Sequence, residues 1–199
     1  MKIGVIHGRF QPLHIGHMEY LLAGRARCDL LVVGITNPDP WQVKLETTNA
    51  QRSEPAANPC TYYERYLMVE GALLDSGVPH GAFRIVPFPH SFPERLQHYA
   101  PTAAEYYVTI YDQWGEAKLL RFHELGLRTH VLWRRTSTVT SGSAIRRLIA
   151  ADEPWVNLVP AATAQVVREF GIDRRIRELM RQEPDRAHAA AGAVAGTGE

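Results

Sequence analysis

The stretch "HGRFQPLHIGHMEYLL", His7–Leu22, decides how this chain is read. It follows a short β-branched run, "KIGVI" (Lys2–Ile6), and leads into an amphipathic segment over His17–Arg27. A strand that gives way to a helix through a Gly-containing loop opens a strand–helix–strand unit. Four more apolar runs follow: "LLVVGI" (Leu30–Ile35), "FRIVPF" (Phe83–Phe88), "YYVTI" (Tyr106–Ile110) and "HVLW" (His130–Trp133). Each reads as a short buried strand. Amphipathic segments at Tyr62–Ser76 and Glu116–Leu125 lie between them. The alternation predicts right-handed crossovers and an α/β fold: a Rossmann-like open parallel sheet of about five strands, flanked by helices. The C-terminal part reads as helical, from "SGSAIRRLIAAD", "PAATAQVVREFG" and "DRRIRELMRQE". Ligands of such sheets bind at the carboxyl ends of the strands. "HGRFQPLH" falls on that edge.

Composition narrows the class. A chain of 199 residues with 45% apolar content suits one compact domain, expected over residues 1–183. The Ala/Gly-rich stretch 184–199 reads as a disordered tail. Asn37–Pro59, rich in Pro, Asn and Ser, reads as a long loop after the second strand. A formal net charge of +1 gives no global field for nucleic acid or an anionic membrane. No apolar run approaches membrane-spanning length, and the N-terminal stretch is interrupted too soon for a signal peptide. Cys28 and Cys60 form no CxxC pair, which fits a reducing cytoplasm. Self-association into a homo-oligomer is left open.

Two imidazoles, His14 and His17, share one helix face at the start of the first helix. Gly16 between them lets a ligand approach closely. A helix N-terminus offers free N–H groups and a positive dipole end, where phosphate binds readily. Two imidazoles at that point suit a phosphate whose charge grows in a transition state. They do not suit zinc proteolysis, which needs histidines four apart and a glutamate. The alternative is a pair that only caps or packs. "TSGSAIRRLI" (Thr140–Ile149) supplies a second helix start. Ser141, Gly142 and Ser143 read as an N-cap cluster. Arg146 is expected one turn in, on an exposed face opposite Ile145 and Leu148. A triphosphate needs two such anchors.

Taken in order, "GRFQPLHIGH", "NPCTYYERYLMV" (Asn58–Val69), "SGSAIRRLI" and "WVNLVPAATAQVVREFGIDRRIREL" resemble the HxGH nucleotidyltransferases. The nearest branch is similar to the archaeal-type nicotinamide-mononucleotide adenylyltransferases. The resemblance spans nearly the whole chain up to the tail. It implies that Gly8, Arg9, Phe10 and Gly16 line the nucleotide phosphates and that His14 and His17 contact the α- and β-phosphates. It places Thr140, Ser141, Gly142 and Ser143 near the triphosphate, with Arg146 gripping its β/γ end. Mg2+ would travel with the nucleotide, with no metal ligand from the protein. An acceptor oxyanion would attack the α-phosphorus in line and expel pyrophosphate. Class I aminoacyl-tRNA synthetases share the histidine signature, but this chain is short for one and has no KMSKS-like loop.

The acceptor region departs from that branch. The asparagine and tryptophan that hold the nicotinamide ring have no counterpart in "VPFPHSFPERLQHY" (Val86–Tyr99). A small turn after the fourth strand is replaced by "TIYDQWGEAK" (Thr109–Lys118). Phe92, Asp112 and Trp114 are therefore acceptor candidates, although Asp112 also reads as a helix cap and Trp114 as a core residue. Arg52, His90, Arg95 and His98 flank the altered pocket and suit a compact, multiply charged acceptor. They also fit a solvated surface. "RRTSTVTSGSAIR" (Arg134–Arg146) is similar to the small cytidylyltransferases as much as to the adenylyl branch. The expectation is a cytidylyltransferase using CTP and a small phosphonate, of the phosphonoformate kind, in specialised metabolism. The alternative is an ATP-dependent adenylyltransferase of nicotinamide or nicotinate mononucleotide. A nucleotide-sensing module without turnover is a third reading, disfavoured by intact His14, His17 and Arg146.

Overall fold

A computed structural model describes residues 1–38 and 54–182. The tail expected over 184–199, most of the expected long loop and Arg52 lie outside the described residues. The elements run β1 (Ile3–Gly8), α1 (Ile15–Arg25), β2 (Leu30–Thr36), α2 (Tyr62–Asp75), β3 (Phe83–Phe88), β4 (Glu105–Ile110), α3 (Gln113–Glu124), β5 (Arg128–Arg134), α4 (Gly142–Ala150) and α5 (Ala161–Glu169). A last helix covers residues 172–182. The five strands form one parallel sheet in the order β3-β2-β1-β4-β5. Each predicted strand is present, displaced by two residues at most at either end.

Both faces of the sheet are covered, so its central strands carry unbroken apolar runs rather than alternation. One face packs Ile6, Leu31, Val33 and Tyr107 against α1, α2, α4 and α5. The other packs Val5, Val32, Tyr106 and Val108 against Phe122 of α3 and against Leu96 and Ala100 in the β3–β4 connection. Strand order runs outward from β1 to β3, then returns to place β4 beside β1. That reversal is the switch point at which open α/β sheets leave a crevice.

Helix starts are specified by side chains. Thr61 and Glu64 close a capping box at α2, with the Thr61 N–H donating to Glu64 Oε2 at 2.7 Å and the Glu64 N–H donating to Thr61 Oγ1 at 3.2 Å. Arg175, from the last helix, donates to both Glu64 oxygens at 2.8 and 2.9 Å. The C-terminal helices are thereby fastened to the start of α2, which lies at the carboxyl edge of the sheet.

Gly34 of β2 pairs across from His7 of β1 and Val86 of β3. A Cβ at Gly34 would lie 2.4 Å from Cδ2 and 2.8 Å from Cβ of Phe88. The glycine makes room for the Phe88 ring, which stacks on the His7 imidazole with centroids 4.5 Å apart. Gly34→Ala should therefore overpack this layer and destabilise the protein by about 1–3 kcal/mol. Urea unfolding near neutral pH measures it, and an unchanged midpoint would show that the ring yields without cost.

Candidate functional site

The loop from Arg9 to Leu13 joins β1 to α1, and its backbone is bent away from either element. Phe10 is fully buried and takes the left-handed conformation at φ 52°. Its ring meets the His17 ring edge-on at 5.0 Å. His14 is the N-cap of α1, in extended conformation, and its Nδ1 accepts from the His17 N–H at 3.3 Å. That bond puts the His14 proton on Nε2. The two imidazoles stack with centroids 3.6 Å apart and planes inclined by 22°. The expected shared face is thus real, with His14 as the cap and His17 in the first turn.

Burial keeps both rings neutral. It pulls the His14 pKa down to about 4, and pulls His17 well down, with the adjacent His14 and Arg9 adding to the effect. Neutral rings still donate N–H bonds, and they await no counter-charge before an anion arrives.

α4 begins against the same loop. Ser141 caps it, accepting from the Ala144 N–H at 3.2 Å, and its Oγ lies 3.0 Å from that of Ser143. Gly142 is required by contact: a Cβ there would fall 2.7 Å from the Gln11 carbonyl oxygen. Arg146 corrects an expectation. It is buried, 7% exposed, and donates from Nη1 to the Gln11 carbonyl at 2.6 Å. Amphipathic periodicity put it on an outer face, but the β1–α1 loop packs over that face and turns it inward. Two helix N-termini, α1 and α4, therefore converge on one loop.

They open onto a cavity of about 500 Å³, within the usual range for small-molecule sites. Every phosphate-binding candidate lines it: Gly8, Arg9, Phe10, His14, Gly16, His17, Thr140, Ser141, Gly142, Ser143 and Arg146. Of the acceptor candidates, His90 and Trp114 line it, with ring centroids 5.7 Å apart. Phe92 and Arg95 do not. The prolines turn that segment into a 3-10 helix over Pro93–His98, and Arg95 sits over the Phe92 ring at 5.1 Å instead. His98 ends the same short helix and is also outside the lining. Asp112 caps α3, accepting from the Gly115 N–H at 2.9 Å, and does not line the cavity.

The cavity also takes in residues that the motifs do not point to. His7, Lys118 and Arg135 all contribute. Lys118 had a legible signal, since it stands one helical turn after Trp114 and its Nζ lies 5.1 Å from that ring. His7 had one too, as a polar residue inside an otherwise apolar strand. Arg65 is a different omission. It is 2% exposed and donates to the carbonyls of Arg9, Thr36, Asn37 and Thr61 at 2.7–3.1 Å. Burial lowers its pKa to about 10, so it stays charged at neutral pH.

Among the described residues, no group of three His, Cys, Asp or Glu side chains could hold a metal ion, and no helix is long and apolar enough to cross a membrane.

The cytidylyltransferase-like family model matches residues 5–148. A phosphonoformate cytidylyltransferase of Streptomyces viridochromogenes is 68% identical over 174 residues, covering 87% of this chain and 95% of that protein. A nicotinamide-nucleotide adenylyltransferase of Methanospirillum hungatei is 32% identical, covering 89% of this chain and 94% of that one. Among solved structures, a bifunctional NMN adenylyltransferase/ADP ribose pyrophosphatase from Francisella tularensis superposes with a TM-score of 0.65 at 12% identity. This chain spans 57% of that protein, and the likeness is one of fold.

The buried histidines give the protein a pH signature. His14 titrates near 4 when folded and near 6.5 when unfolded. Between those values the unfolded chain binds more protons, so stability present above pH 6.5 is lost as pH falls toward 4. Between pH 7 and pH 4.5 the wild type should lose about 2 kcal/mol more than His14→Asn, which keeps a capping side chain. Urea titrations at the two pH values check this, and parallel losses would show that His14 ionises as a free imidazole.

Proposed function

Because this chain belongs to the cytidylyltransferase-like family, we propose that it transfers CMP from CTP to a small phosphonate of the phosphonoformate class, releasing pyrophosphate. The observation that carries this reading is the 68% identity to a phosphonoformate cytidylyltransferase over 87% of the chain, against 26–32% for the nicotinamide-nucleotide adenylyltransferases. We place it in the cytoplasm and in specialised metabolism, a reading with which the two free, buried cysteines agree.

In this reading a phosphonate oxygen attacks the α-phosphorus of CTP. A new P–O–P bond forms, the α–β bridge breaks on the far side, and pyrophosphate leaves with the bridging oxygen. No protein nucleophile is needed, because positioning and charge neutralisation lower the barrier. His14 donates from Nε2, and His17 donates beside it, to oxygens on which charge accumulates. Arg9 and the turn at Gly8–Phe10 border the α-phosphate. Ser141, Ser143 and the start of α4 hold the β/γ end, with Arg146 beneath. Arg146 acts twice, since its bond to the Gln11 carbonyl also fixes the loop that carries His14.

Magnesium fits as a companion of the triphosphate. Glu19 is the one carboxylate among the described lining residues, and it is paired with Arg135 at 2.7 Å. Those residues do not make a metal cage, so the ion's ligands would be phosphate oxygens, whose charge it would neutralise.

Turnover decides the substrates. With magnesium, kcat/KM for CTP and phosphonoformate should exceed that for ATP and nicotinamide mononucleotide by about 100-fold or more. Efficient dinucleotide synthesis with no product from CTP would overturn the reading. His17→Ala should lower kcat by about 10²–10³-fold while leaving the unfolding midpoint near the wild type. Near-normal turnover in the folded variant would make the histidine pair structural.

A further inference from the structure

The proposed transfer gives His7 nothing to do, yet its ring is buried and stacked among aromatic side chains. His7 is 6% exposed, and neither ring nitrogen has a hydrogen-bond partner among the described residues. Buried polar atoms are nearly always paired, so an orphaned imidazole in a cavity wall asks for a ligand.

Strand parity explains where it points. Side chains alternate along β1. Ile6 joins the core beneath α1, and Val5 joins the core beneath α3. His7 follows Val5 and goes to the α3 side. There its ring stacks on Phe88 at 4.5 Å with planes 12° apart, and meets Phe122 at 5.2 Å. His90 continues the stack at 5.9 Å. Gly34 leaves the space that Phe88 occupies. The imidazole is thus fixed before any ligand binds, and His7 is among the residues that line the cavity, with His90, Trp114 and Lys118.

The electrostatics favour a compact anion. Burial, followed by the nearby Lys118 and His90, holds the His7 pKa well down, so the ring is neutral and carries one unpaired N–H among the described residues. A neutral donor beside an ammonium suits a carboxylate.

The direction of the acceptor follows from the transfer itself. Its phosphonate must face the α-phosphate, which belongs with His14 and His17 at the start of α1. The far end of the acceptor then extends toward α3. In phosphonoformate the group at that end is a carboxylate. We propose that His7 is a specificity-determining residue that donates a hydrogen bond to the acceptor's carboxylate, with Lys118 supplying the countercharge. The inference rests on the phosphonate reading above and adds the group by which the acceptor is recognised.

Steady-state kinetics with CTP and phosphonoformate test it, beginning with the wild type. Absence of product there overturns the phosphonate reading and this inference together. Given wild-type turnover, His7→Phe keeps the aromatic stack and removes both nitrogens. It should raise KM for phosphonoformate by about 10- to 100-fold, the worth of a hydrogen bond to a charged group. KM for CTP should stay within about twofold. Methylphosphonate, which has no carboxylate, should inhibit the wild type and His7→Phe with the same Ki. His7→Gln, which restores a donor, should recover part of the affinity. An unchanged phosphonoformate KM in His7→Phe, or an equal weakening of methylphosphonate, overturns the inference and leaves the phosphonate reading standing. Should His7→Phe fail to fold, 15N-histidine spectra of the wild type replace it. Phosphonoformate should shift the His7 ring resonances and methylphosphonate should not, and the opposite pattern overturns the proposal.

Discussion

A single buried guanidinium organises the carboxyl edge of the sheet. Arg65 reaches from α2 to the carbonyl of Arg9 after β1, to those of Thr36 and Asn37 at the end of β2, and back to Thr61 of its own helix cap. A buried cation without partners is costly, so it draws carbonyl oxygens toward it. The backbone on both sides complies. Phe10 and Asn37 each take left-handed conformations, at φ 52° and 50°. Such geometry persists in non-glycine residues only when the surroundings over-determine it. Here they do. The Gln11 side chain is clamped to residue 60 by two bonds, donating to the Cys60 carbonyl and accepting from its N–H. Arg146 holds the Gln11 carbonyl from the other side. The loop that ends in His14 is thereby fixed from α2, from α4 and from the chain before α2. Preorganisation of this kind is what transition-state donors need, because no reorganisation remains for the moment of reaction.

The same frame explains why neutral histidines suffice. A triphosphate brings several negative charges into a partly enclosed cavity. In the proposed reading, helix N-termini, Arg9 and Arg146 would supply the positive potential. The imidazoles then need only donate. Were they charged before binding, two stacked cations 3.6 Å apart would repel each other where burial has stripped away solvation. Burial removes that conflict, and the negative charge of a bound nucleotide acts in the opposite direction on both rings. Nucleotide binding would therefore tune the histidine pair.

Much of this was legible in the sequence, for identifiable reasons. β-branched runs are local signals, and all five strands were readable from them. The caps at His14 and Ser141 were readable because N-cap chemistry lies within four residues. What failed depended on long-range packing. Arg146 was placed outward by periodicity, which cannot register a loop returning from far along the chain to cover a helix start. Phe92 and Arg95 were placed at the pocket by proximity to β3, yet Pro89 and Pro93 turn that segment away. Asp112 met its nearer alternative, a cap. Arg65 was invisible because its partners are backbone carbonyls, which leave no side-chain pattern to read. His7 falls just past the apolar run Lys2–Ile6, and only the structure extends β1 through it to Gly8.

In the proposed reading the two sides of the sheet divide the recognition between them. The N-termini of α1 and α4 would bind the triphosphate, and β1, the β3–β4 connection and α3 would form the acceptor wall. His7 and His14 are only one loop apart in sequence, yet strand parity sends the first to the α3 side while the turn through Gly8 and Phe10 delivers the second to the α1 side. Changes on the α3 wall would leave His14 and His17 where they are, because the hydrogen bonds of Arg65, Gln11 and Arg146 that fix the loop come from outside α3. One scaffold can therefore keep its transfer chemistry and exchange its acceptor, which is the relation between a cytidylyltransferase at 68% identity and adenylyltransferases at 26–32% that cover almost the same length. In that reading acceptor choice would be a property of one wall of the cavity, with His7 at the point where that wall meets the strand leading into the loop that carries His14.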